Sequence, residues 1–69
     1  MTEIVFLVEE DPEGGYVARG IGESIFTQAE NLKDLRDRVR DAVRCHFGDS
    51  REIPKAIRLH MVKDEVIAL

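Results

Sequence analysis

The stretch Leu32–Phe47 constrains this chain more than any other. Leu32, Leu35, Val39, Ala42, Val43 and His46 recur at i, i+3 and i+7 spacing, while Lys33, Asp34, Asp37, Arg38, Arg40, Asp41 and Arg44 fill the remaining face. One apolar stripe at the 3.6-residue period predicts an amphipathic helix with a single buried side. The ends agree. Asn31 stands where an N-cap belongs, Asp34 lies in the first turn, and Arg44 lies in the last; these charges suit the two ends of the helix dipole. Gly48 is placed for the left-handed position that closes a helix. Of the i, i+4 pairs, Asp34–Arg38 is the attractive one, a contribution of a few tenths of a kcal/mol. Asp37–Asp41 and Arg40–Arg44 set like charges together. A lone helix of this kind needs a sheet to lie on.

The flanking sequence supplies one. Glu3–Glu9 alternates Ile4, Phe6 and Val8 against Val5 and Leu7. Both sides are apolar, which predicts a central strand. Glu10-Asp11-Pro12-Glu13-Gly14-Gly15 is dense in turn residues, so Tyr16–Arg19 reads as the return strand of a hairpin. After the break at Gly20-Ile21-Gly22-Glu23, Ser24–Gln28 reads as a third strand, with Ile25 and Thr27 on one side and Phe26 on the other. Beyond the helix, Asp49–Lys55 is a polar loop with Pro54 breaking before the next strand. Ala56–Val62 then alternates Ile57, Leu59 and Met61 against Arg58, His60 and Val62. A strand reached through a crossover helix is expected to lie parallel to a neighbour. The expected fold is α+β, in the order β-β-β-α-β: residues 1–69 form one domain, a four-stranded mixed sheet with one helix packed on one face.

Size then matters. A single core in 69 residues rarely yields more than about 3–5 kcal/mol, and small domains often gain the rest from disulfides, metals or association. The lone Cys45 cannot form an intrachain bridge, and no Cys/His cluster has metal-ligand spacing. No metal or cofactor is expected, and association takes precedence. The unpaired cysteine fits a reducing compartment. The N-terminal run carries acids where a secretory signal starts basic, and is too short to span a bilayer. The expected setting is cytoplasmic, with no membrane partner.

No catalytic residues stand out. Glu9 and Asp11 head the acidic turn and would be the residues of a metal-dependent nuclease, but no further ligands converge on them. Cys45 and His46 are adjacent, and neighbours on a helix point about 100° apart, so both are expected in the core. His60 has the polar parity of its strand and is expected exposed. Gly14-Gly15 and Gly20-x-Gly22 separate strands, whereas a dinucleotide fingerprint leads from a strand into a helix.

Two surfaces remain. Arg36, Arg40 and Arg44, with Arg38, are the alternative, a nucleic-acid footprint. They are interleaved with Asp34, Asp37 and Asp41 and lack stacking aromatics, in a chain of net charge −4; a solvated helix face is the simpler reading. The other surface is apolar. If Ile4, Phe6 and Val8 face the helix, Val5 and Leu7 face away from it. Val62, Val66, Ile67 and Leu69 also lack a cover. Uncovered apolar patches mark protein contacts, and a homodimer is the simplest solution.

The segment Phe6-Leu7-Val8-Glu9-Glu10-Asp11-Pro12-Glu13-Gly14-Gly15-Tyr16-Val17-Ala18 resembles the opening of the HicB-like antitoxin superfamily. That family begins with an apolar strand, an acidic turn and a Gly-Gly-Tyr-x-Ala hairpin. Thr27-Gln28-Ala29-Glu30-Asn31-Leu32 occupies the place of the family's later Thr and its Asn/Thr-Leu helix start. The resemblance covers about two-thirds of the chain, Ile4–Phe47. It implies a truncated RNase H-like β-β-β-α-β fold with the fourth strand beside the first. Family members with an added DNA-binding segment cap a small RNA-cleaving toxin and repress their own operon. No ribbon-helix-helix or helix-turn-helix module is expected after Leu69, so the implied partners are a small toxin-like protein or a second copy. The implied function is a non-enzymatic protein-interaction module.

Overall fold

Four strands and one helix follow one another as β1 (Glu3–Glu10), β2 (Tyr16–Gly20), β3 (Phe26–Ala29), α1 (Leu32–Phe47) and β4 (Ala56–Val62). The computed structural model describes residues 2–49 and 51–69. The sheet order is β3-β2-β1-β4. β2 is antiparallel to β1 and to β3, while β4 lies parallel to β1. The doubly apolar strand is therefore central, and the strand after the helix pairs with it in parallel. The expected α+β architecture stands.

One face of the sheet makes the core. Ile4, Phe6 and Val8 of β1, Ala18 of β2 and Ile25 are buried against Leu35, Val39 and Val43 of α1. Phe6, Val8 and Leu35 are fully excluded from water. No polar or charged side chain is buried among the described residues.

The helix start is built as its sequence implies. The Asn31 side chain accepts from the Asp34 amide at 2.8 Å, and its own amide donates to the Asp34 carboxylate at 3.1 Å. Asp34 is thereby held at the cap. The ion pair on the helix surface is Arg40–Asp37 at 3.1 Å, rather than the anticipated Asp34–Arg38. Gly48 has the expected positive φ of 57°, but its ψ of −132° takes it out of the left-handed helical basin. Its amide still donates to the Arg44 carbonyl at 2.8 Å.

The hairpin turn is shaped by two side-chain-poor positions and one carboxylate. Asp11 accepts from the Glu13 amide at 2.9 Å, a local turn bond typical of Asp. Gly15 has φ +83°, and a Cβ there would stand 2.7 Å from the Ala29 carbonyl oxygen. The hairpin thus closes directly against the end of β3, and only glycine permits it.

Three expectations need correction. The third strand is Phe26–Ala29 and not Ser24–Gln28. The Gly20 amide donates to the Ile25 carbonyl at 2.8 Å, closing the turn there, and Ile25 dips into the core instead of continuing the ladder. Cys45 is exposed rather than buried. His46 is exposed too, because Val43 is the last fully buried stripe residue and Phe47 takes the next place against the core. His46 instead meets Glu23 at 3.2 Å and sets its ring edge-on to Phe47, with centroids 4.9 Å apart.

Candidate interaction surface

Side chains alternate across a sheet, and laterally paired residues share a face. Register therefore maps the side away from α1. One row across it reads Phe26, Arg19, Leu7, His60; the next reads Gln28, Val17, Glu9, Val62. Val5 lies in the row beyond, beside Arg58. Val5, Leu7, Val17 and Val62 form a half-buried apolar centre, with no element of the described chain above it. Phe26 stands at its rim, 63% exposed. Arg58 bonds Glu3 across the β1–β4 pair, so polar groups frame the patch. His60 is exposed on this face, as its parity implied.

Beyond β4 the chain has no regular secondary structure. Val66 is 94% and Ile67 79% exposed, and Leu69 is fully so. The molecule extends 52 × 19 × 18 Å. A helix the length of α1 spans about 24 Å, and β1 about 27 Å. Each accounts for roughly half of the long dimension, and the segment after Val62 is exposed along its whole length. The six apolar residues named from sequence thus divide into two groups. Val5, Leu7 and Val62 share the open face; Val66, Ile67 and Leu69 project beyond it.

The arginines are sorted by the helix. Arg36 and Arg40, with Val39, line a groove of about 220 Å³ whose other wall is Ile57 and Leu59 of β4. Arg40 and Arg44 continue it, with Val43, past Ile53, Lys55 and Ile57. Arg38 lies on the opposite flank, near Glu30 and Asp34. The groove exists because α1 packs over β2 and β3, leaving the helix-side residues of β4 thinly covered: Ile57 and Leu59 are half-buried and Met61 is 49% exposed. Spacing alone shows that Arg36, Arg40 and Arg44 share a helix face. It does not show that this face borders an apolar cleft.

Glu9, Glu10 and Asp11 come together with Pro12, Val62, Lys63 and Asp64 around a shallow depression. Asp11 is engaged in its turn. Among the described residues no group of three His, Cys, Asp or Glu side chains has the geometry to hold a metal. No helix among them is long and apolar enough to cross a membrane.

Sequence reasoning missed Val17 as a member of the open face, although it sits opposite Glu9 by register. The opposed parity of Phe26 to Ile25 and Thr27 was the signal for the rim residue.

These features define a small α+β domain with a one-sided core, an open apolar sheet face and a basic cleft. The chain belongs to the UPF0150 family. It is 54% identical over 52 residues to a UPF0150 protein of Archaeoglobus fulgidus, covering 75% of this chain and 76% of that one. It is 40% identical over 67 residues to a UPF0150 protein of Thermotoga maritima, covering 97% of this chain and 93% of that one. No family model matches the chain, and no solved structure does.

Proposed function

We propose that this protein is a non-enzymatic, cytoplasmic protein-interaction module that forms a homodimer, and that it is a HicB-like domain able to cap a small toxin-like partner. The observation that carries the reading is the uncovered sheet face, with Val5, Leu7, Val17 and Val62 at its centre and Phe26 exposed at its edge. Large apolar side chains left on an open face of a domain this small, even interleaved with Arg19 and Glu9, favour association over solvation. The toxin-capping part rests on the Glu10–Ala18 hairpin and the Asn31-Leu32 helix start.

The test is a comparison of native protein with Leu7→Asp by size-exclusion chromatography with light scattering. A dimer mass for the native chain is the expected result, with the Leu7→Asp variant reporting whether the open face makes that contact or receives a further partner. A monomer mass for the native chain would contradict the reading, and equal dimer masses would place the dimer contact outside the open face. A pull-down from native lysate then asks for a small partner lost in the same variant.

A further inference from the structure

The α1–β4 groove and the segment after Val62 are complementary in charge and in apolarity. The groove has an apolar floor, Val39, Ile57 and Leu59, rimmed by Arg36, Arg40 and Arg44. Among the described residues no carboxylate lines either part of it; Arg40 is paired with Asp37, so Arg36 and Arg44 carry the rim's positive charge in a chain with net charge −4. The projecting segment is Lys63-Asp64-Glu65-Val66-Ile67-Ala68-Leu69, acids followed by apolar residues, all exposed. It contains no Gly or Pro, the residues that turn a chain most readily, and none of its residues lines its own groove.

We propose that this segment of one copy adds to the outer edge of β4 in a second copy, reciprocally, and fills the second copy's α1–β4 groove. β4 ends the sheet order, so its outer backbone groups are unpaired, and such edges accept strands. Parity sets the register. In β4 the odd positions Ile57, Leu59 and Met61 face the helix, since they pair with Ile4, Phe6 and Val8. Two copies related by a two-fold perpendicular to the sheet keep their helices on one side, so odd residues must oppose odd residues. Centring the two-fold on Val62 lays each segment along its partner's β4. Ile67 then lies beside the partner copy's Ile57 and Glu65 beside its Leu59, with Arg36 and Arg40 above. The two sheets become one, and their open faces join into a single surface for a further partner. This assignment rests on the homodimer reading and names the contact that makes it.

The test is a charge-exchange cycle on the full chain, read as the dissociation constant by sedimentation equilibrium. Arg36 takes no ion pair among the described residues, and both it and Glu65 are exposed, so reversal leaves the monomer fold intact; circular dichroism checks this. Arg36→Glu and Glu65→Arg should each weaken association about tenfold, and the double variant should restore it to within about threefold of native. Independently, Val62→Cys in a Cys45→Ser background should give a disulfide-linked dimer under mild oxidation, because the two-fold brings those positions together.

A native dimer that is indifferent to both reversals, together with a Val62→Cys variant that does not cross-link, would overturn this contact while leaving the homodimer reading standing. A native chain that stays monomeric would remove both. A salt-sensitive gel shift with RNA that Arg36→Glu abolishes, without any exchange rescue, would assign the groove to nucleic acid instead.

Discussion

The two faces of the sheet are made from the same strands and meet opposite fates. On β1, Phe6 is fully buried beneath α1, while Leu7, the next residue, is half-buried on a face with no cover. Both are large and apolar, so composition does not distinguish them. Parity does: one helix has one apolar stripe, and a stripe can close only one face. A central parallel strand with both faces apolar ordinarily lies between two layers. This molecule supplies one layer, and on the proposed reading a second chain supplies the other.

The covered face is most vulnerable at Phe6. Phe6→Ala should cost about 3–5 kcal/mol, comparable to the whole stability expected of a domain this size. The chain should then be largely unfolded by circular dichroism at 25 °C. Gly15→Ala should follow, at about 1–3 kcal/mol, because its positive φ and the close Ala29 carbonyl both oppose a side chain. Gly14→Ala provides the contrast: φ is positive there too, but the space is open, so urea denaturation should show the smaller loss. Asn31→Ala removes the cap bond to the Asp34 amide and should cost about 1 kcal/mol, with no change in subunit mass.

The smallest effect on folding should come from Leu7→Ser. Measured at a concentration low enough to keep the chain dissociated, its cost should be no more than about 1 kcal/mol. Its larger consequence should appear in the capture of a further partner on the open face, read by pull-down from native lysate. An unfolding cost like that of Phe6→Ala would mean that the open face is already covered within the monomer.

Much of this was legible from residues alone. Periodicity of 3.6 and of 2 placed α1 and three of the strands to within a residue, because each has a regular apolar pattern and clear breakers. The third strand was displaced because Ile25 has the parity and hydrophobicity of a strand residue yet serves as a core plug in a turn. A local pattern does not tell those roles apart. Cys45 and His46 were misplaced for a related reason: Phe47, four residues after Val43, takes the next place against the core and leaves both outside it. Val5, Leu7 and Val62 were found by alternation. The α1–β4 groove was not, since it depends on where the helix sits across the sheet, and that offset is a tertiary property.

The central claim is that the uncovered face and the projecting segment exist to be covered by another chain. Sedimentation equilibrium of the native protein from about 1 to 100 µM, a range in which specific protein contacts are populated, tests it most directly. The expected result is a dimer mass at the upper end, with reversible dissociation on dilution. A monomer mass across the whole range would contradict it.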